Sequence, residues 1–290
     1  MDLTFTPNIR ELLAKYNTKP LKGLGQNFLI HSLTIKKIVE AAQINDNDTV
    51  LEIGPGIGTL TQALAQKAKK VIAIEKDGIM VEILKETLKN YPNVEVIQGD
   101  ALSPVIARHP QMAWQSSAPY KVVANLPYYI TSPIIRLFLE MPNPPECLVL
   151  MVQKEVAQRI CATPPNMSIL AASVQFYAEA KIITQVTKEK FWPSPNIDSA
   201  VIKIIPHSSS SLRDATAARQ SSVSPDKFFQ VVKAGFSHPR KQLANNFSVS
   251  FKKNREEIAQ WLQKNNLKPE QRAETLTIQD WINLTNSVNP

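Results

Sequence analysis

The chain has 290 residues, of which 43% are hydrophobic and 20% charged. That is enough for one large domain with a buried core plus a small one, and it excludes a disordered or fibrous protein. A net charge of +8 suits a polyanionic partner through phosphate contacts, whereas the absence of a long apolar run and of a leader pattern predicts no membrane association.

From Thr49 onward, hydrophobic runs alternate with amphipathic stretches, the pattern of an α/β protein with a parallel sheet covered by helices. Strands are predicted over Thr49–Ile53, Val71–Glu75, Val94–Gln98 and Lys121–Ala124, and helices over Thr59–Ala68 and Ile79–Leu88. A helix near Ile134–Leu139, a strand at Cys147–Val152, a helix from Lys154 and a strand at Ala200–Ile205 follow. Cys147 and Cys161 have no paired spacing and read as buried structural thiols in a reducing, cytoplasmic setting.

Residues 206–225 are rich in Ser, Ala, Arg and Gln, without an apolar period, and read as a linker between a catalytic domain over 1–205 and a small helical domain over 226–290. In that tail Lys227, Lys233, Arg240, Lys241, Lys252, Lys253 and Arg255 are interleaved with Phe228, Phe229, Phe236, Phe247 and Phe251. A basic face that contacts RNA phosphates is expected, with Lys252 and Lys253 part of it and Trp261 and Trp281 in the core.

The turn Glu52-Ile53-Gly54-Pro55-Gly56-Ile57-Gly58 follows a strand and opens a helix, where glycines let the backbone approach a ligand. Glu75 ends the next strand about 20 residues on, the position of an acid that meets ribose hydroxyls. The spacing G-x-G-x-G departs from that of dinucleotide sites and suits S-adenosyl-L-methionine, which has no diphosphate to cradle. Asp100, after the third strand, is placed to accept a hydrogen bond from the cofactor's adenine amine.

Asn125-Leu126-Pro127-Tyr128 ends the fourth strand. The exocyclic nitrogen of adenine is a poor nucleophile because its lone pair is delocalised into the ring. Two acceptors on its N–H bonds, the Asn125 side-chain carbonyl and the Leu126 backbone carbonyl, would free that lone pair, with Pro127 fixing the turn. Tyr128 can stack on a flipped base. Catalysis would then rest on positioning and electrostatics, and no metal is expected. On its own the tetrapeptide also fits an ordinary strand-ending turn.

These segments, with Leu24-Gly25-Gln26-Asn27-Phe28-Leu29, Gln153-Lys154-Glu155-Val156-Ala157, Phe191–Val201, Ala234-Gly235-Phe236 and Arg272–Leu276, occur in an order that resembles the KsgA/RsmA family of small-subunit ribosomal RNA adenine dimethyltransferases. The resemblance runs over nearly the whole chain. It implies a Rossmann-like methyltransferase domain with Asn27 and Leu29 at the methionine end of the cofactor, Gly54 and Gly56 at its backbone, and Glu75 and Asp100 on ribose and adenine. Asn125 would stand between cofactor and target amine, and Phe191 would form the second wall of the base pocket opposite Tyr128. The implied substrate is a pair of adjacent adenosines in the hairpin loop near the 3′ end of 16S rRNA, each methylated twice in an immature small subunit by a monomeric enzyme.

The chain departs from the family pattern at Thr163–Ser168 and at Pro239-Arg240-Lys241, away from the inferred chemistry. His31 and His238 match no catalytic role and read as exposed polar positions. Competing readings are a large-subunit methyltransferase of the macrolide-resistance type, a DNA adenine methyltransferase, and an RNA-binding assembly factor with incidental activity. A nicotinamide-dependent dehydrogenase is disfavoured by the glycine spacing.

Overall fold

The computed structural model describes residues 1–103, 118–207 and 223–288. Most of the predicted linker, 208–222, lies outside the described residues. The chain divides into two compact units, one of Met1–Ala157 with Lys181–Pro206 and the other of Gln158–Ala180 with His207–Pro290. The second unit therefore takes residues 158–180, which the hydrophobic pattern had assigned to the first.

The larger unit opens with helix α1 (Thr6–Lys15), a two-residue strand β1 (Phe28–Leu29) and helix α2 (Ser32–Ala42). In α2, Ile35, Ile38 and Ala42 recur at helical spacing and are buried, while Lys36, Lys37 and Glu40 face out. Strand β2 (Thr49–Ile53), helix α3 (Thr59–Ala65), strand β3 (Lys70–Glu75), helix α4 (Gly78–Thr87) and strand β4 (Val94–Gln98) follow. Asp77 caps α4 by accepting the Ile79 N–H at 2.9 Å.

Strands β5 (Lys121–Asn125) and β6 (Cys147–Gln153) come next, then β7 (Ala178–Val186), a short β8 (Phe191–Trp192) and β9 (Ser199–Pro206). They form a seven-stranded sheet in the order β4-β3-β2-β5-β6-β9-β7, parallel from β4 through β6 and antiparallel where β6 meets β9. Six of the seven residues of β6 are buried, the continuous apolar run that a strand covered on both faces requires. The order reverses beside β2: the chain steps outward to β3 and β4, then returns to β5 on its other side. At such a reversal the loops leave a crevice beyond the strand ends.

The separate antiparallel pair β1–β8 sets Leu29 opposite Phe191 and Phe28 opposite Trp192. Phe28 and Trp192 stack with centroids 6.5 Å apart, and the Arg10 guanidinium lies 5.7 Å above the Trp192 ring.

In the smaller unit, helices Ile169–Gln175, Pro225–Gly235, Leu243–Phe251, Arg255–Lys264 and Ile278–Ser287 surround an aromatic core. Trp281, Phe228 and Phe247 are wholly buried, and Trp281 stacks on Phe236 at 5.4 Å. The reciprocal bonds of Thr277 and Asp280 cap the last helix. Of the phenylalanines interleaved with basic residues, Phe228, Phe236 and Phe247 are core side chains. Cys147 is buried, Cys161 only half-buried, and both are free.

Candidate active site

The turn after β2 places Gly54 and Gly56 at φ of 68° and 59°, the left-handed region that a side chain disfavours. A Cβ at Gly56 would stand 3.1 Å from the Phe28 ring, so bare backbone is also required by contact. Glu75, at the end of β3, holds this turn: its carboxylate accepts the Gly56 N–H at 3.0 Å and the Asp77 N–H at 2.8 Å. Burial pushes its pKa up, and those two N–H groups oppose the rise.

Past β4, Asp100 accepts from the Lys76 ammonium at 2.9 Å and the Leu102 N–H at 3.0 Å. Both bonds hold its carboxyl below the usual range, the lysine contributing most, so it is ionised at neutral pH.

Asn125 ends β5, paired with Met151 of β6. Its Nδ2 donates to the backbone carbonyl of Asn27 at 3.1 Å, and the Asn27 side chain in turn donates to the Gly25 carbonyl at 3.1 Å. Among the described residues, nothing donates to Asn125 Oδ1 or to the Leu126 carbonyl. The Tyr128 and Ser199 hydroxyls share a hydrogen bond of 2.8 Å, which ties the tetrapeptide to β9. Leu29 and Phe191, opposite each other in the β1–β8 pair, are both buried.

One cavity gathers all of these. Asn27, Leu29, Gly54, Gly56, Glu75 and Asp100 line it together with Asn125, Leu126, Pro127, Tyr128 and Phe191. Every site residue expected from the sequence is therefore in one place, at the crevice the sheet order creates.

The structure adds residues that carried no role in the sequence reading. Glu52, in mid-β2, also lines the cavity but is only 1% exposed, and its Oε2 has no hydrogen-bond partner. Burial, with the neighbouring Glu75 charge adding to it, pushes its pKa up to about 8. Gln26 donates to Asp77 Oδ2 at 2.8 Å and accepts the Leu21 N–H at 2.8 Å, pinning the segment before β1 to the start of α4. Tyr129, 57% exposed, stands at the rim. Adjacency to Tyr128 was the available signal for Tyr129. Nothing in a strand pattern announces that a carboxyl is sealed from water, so Glu52 had none.

Seven strands with the crevice at the β2/β5 reversal, and a glycine turn, acidic strand ends and an amide around one cavity, define a Rossmann-like methyltransferase. Comparison with known proteins narrows the class. The chain belongs to the ribosomal RNA adenine dimethylase family, whose sequence model matches residues 17–289. Ribosomal RNA small subunit methyltransferase A of Clostridioides difficile is 41% identical over 283 residues, covering 97% of this chain and 94% of the relative. Its counterpart in a Dehalococcoides mccartyi strain is 38% identical, covering 96% and 93%. Among solved structures, a dimethyladenosine transferase from Plasmodium falciparum superposes with a TM-score of 0.70 at 29% identity, covering 88% of this chain and 94% of that one. The 23S rRNA methyltransferase ErmE also gives 0.70, at 26% identity, covering 90% and 99%.

Proposed function

We propose that this protein transfers methyl groups from S-adenosyl-L-methionine to N6 of two adjacent adenosines in the hairpin loop near the 3′ end of 16S rRNA. Each adenosine is methylated twice, by a cytoplasmic monomer acting on an immature small subunit.

The cavity's donor set fits the cofactor. Ribose hydroxyls and an adenine amine are hydrogen-bond donors, and Glu75 and Asp100 present acceptors at the ends of adjacent strands. The side-chain-free turn at Gly54 and Gly56 leaves space beside them. Bound there, the cofactor supplies an electrophilic methyl group on a positively charged sulfur.

The observation that carries the reading is the fixed orientation of Asn125. Because its Nδ2 is held by the Asn27 carbonyl, Oδ1 remains as the acceptor for one N–H of the target amine. The Leu126 carbonyl, which receives no hydrogen bond among the described residues, is the acceptor for the other. In the first transfer both N–H bonds are engaged, and in the second the one that remains, so that the nitrogen lone pair leaves conjugation with the ring and turns toward the methyl donor. Tyr128 and Phe191 provide aromatic faces for the unstacked base, with Tyr128 steadied by Ser199. No protein base is needed, since a methylated ammonium loses its proton readily to water.

The small-subunit assignment is supported by near-full-length relatives named for that subunit. A large-subunit target is the second reading, favoured by the equal structural similarity to ErmE. Purified small and large particles from cells lacking this protein, assayed side by side for methyl uptake, distinguish the two. Dimethyladenosine appearing only in 16S rRNA by mass spectrometry is expected, and methylation of the large particle alone would overturn the assignment.

A further inference from the structure

A second pocket, of about 180 Å³, begins one residue from the active-site cavity. Lys190 lines the pocket and Phe191 the cavity; across from them Leu29, the end of β1, lines the cavity and His31, two residues on, the pocket. The Ile30 N–H donates to the Lys190 carbonyl at 2.9 Å and locks the two sides together. Lys37, one turn into α2, adds a third basic group. Thr34, Thr184 and Thr187 supply hydroxyls, and no Asp or Glu lines the pocket.

Among the described residues, the lining itself supplies no carboxylate to balance Lys37 and Lys190. Among the described residues neither Lys37 nor Lys190 forms an ion pair; Lys37 Nζ reaches only the Thr184 hydroxyl, at 3.4 Å. His31 Nδ1 is bonded to Thr34 Oγ1 at 2.8 Å. Glu189, next to Lys190 in the chain, lies outside the lining; its carboxylate accepts from the Thr187 hydroxyl and feels the charges of Lys188 and Lys190. Burial first, then the charges of Lys190 and Lys37, push the His31 pKa below its ordinary value, so its imidazole is neutral at pH 7 and the positive charge in the pocket is that of the two lysines. Two ammonium groups beside three hydroxyls, with no carboxylate in the lining, suit an oxyanion.

We infer that this pocket holds a backbone phosphate of the RNA strand adjacent to the target adenosine. The inference rests on the RNA methyltransferase reading. Leu29 and His31 are two residues apart, so their backbones lie within about 7 Å of each other, a separation that one nucleotide bridges, and a base between Tyr128 and Phe191 would have a flanking phosphate within reach of the pocket. Its hydroxyls and ammonium groups grip the backbone without reading sequence.

The test is the double variant Lys37→Gln/Lys190→Gln, with Lys69→Gln/Lys89→Gln as a control of equal charge removal. Binding of a hairpin RNA carrying the target loop is measured against salt. Disabling the pocket should weaken binding about tenfold at low salt and lower the slope of log affinity against log salt by about 0.7 for each phosphate no longer neutralised. Cofactor affinity should not change. Behaviour matching the control pair would overturn the inference. In a separate arm, inorganic phosphate should shift the His31 ring resonances of the unaltered protein and not those of the double variant. If phosphate shifts them but RNA affinity is untouched, the pocket serves a free anion and the RNA assignment falls. Failure of the unaltered protein to methylate ribosomal particles would sink the functional reading instead, and the phosphate arm would still judge the pocket.

Discussion

Asn125 and Asn27, 98 positions apart in the chain, are joined by a 3.1 Å hydrogen bond from the amide of one to the backbone carbonyl of the other. The bond selects which end of the Asn125 amide is left for a substrate, and it couples that choice to the segment just before β1. Removing the amide with Asn125→Ala should lower kcat by about 10²–10³, the scale of losing one preorganised group at a reacting centre. RNA affinity should stay within about twofold, since phosphate contacts dominate it. Single-turnover methylation and RNA titration on the same preparation check this; parallel loss of both would contradict the division of roles.

Glu52 makes stability depend on pH. Its folded-state pKa of about 8 lies above the ordinary 4.5, so between those values the folded protein keeps a proton that the unfolded chain has lost. The contribution is complete below pH 4.5 and is lost as pH rises toward 8, at roughly 1 kcal/mol per pH unit. Glu52→Gln removes that dependence. Urea midpoints at pH 5, 6.5 and 8 should show the variant gaining on the parent as pH rises; parallel curves would show that Glu52 titrates normally.

In the smaller unit, Gly235 closes its helix directly against the buried Trp281 ring. A Cβ there would meet that ring, 2.8 Å from Cζ3 and nearer still to Cη2. Gly235→Ala should therefore destabilise by about 1–3 kcal/mol through overpacking. Combining it with Trp281→Phe should cost less than the two single changes added together, a coupling that a double-mutant cycle in urea detects.

Lys252 ends its helix in the left-handed region at φ 53° and is exposed. Asn tolerates that conformation, so Lys252→Asn with Lys253→Gln removes two charges with little backbone cost. If this pair touches rRNA phosphates, the salt dependence of RNA binding should flatten, its slope falling by about 0.7 for every phosphate the pair had neutralised. An unchanged slope would take the pair out of the interface.

The loops of the candidate site were legible because each is a short local pattern at a strand end. Asn125 and the glycine turn need no knowledge of distant contacts to be noticed. What distant contacts decide was not legible. Strand β7 escaped the hydrophobic pattern because only its two end residues, Ala178 and Val186, are buried, and Glu179, Lys181 and Gln185 face out at the sheet edge. Helix α1 lies before the periodic part of the chain, yet Ile9, Leu12 and Leu13 are sealed against Phe28, Ile57 and Ile83. The placing of the tail phenylalanines was not legible for the same reason, since residue type alone does not separate a core ring from an exposed one.

The β1–β8 ribbon joins residues 28–29 to residues 191–192. A polypeptide still being synthesised has the glycine turn and the amide long before it has the second of these segments. Until position 192 is available to pair, Leu29 lacks its partner and the cavity lacks the side formed by Phe191. The cavity is thus completed late in the making of the chain, and a truncated product ending before this point would lack both that side and strand β9 of the sheet.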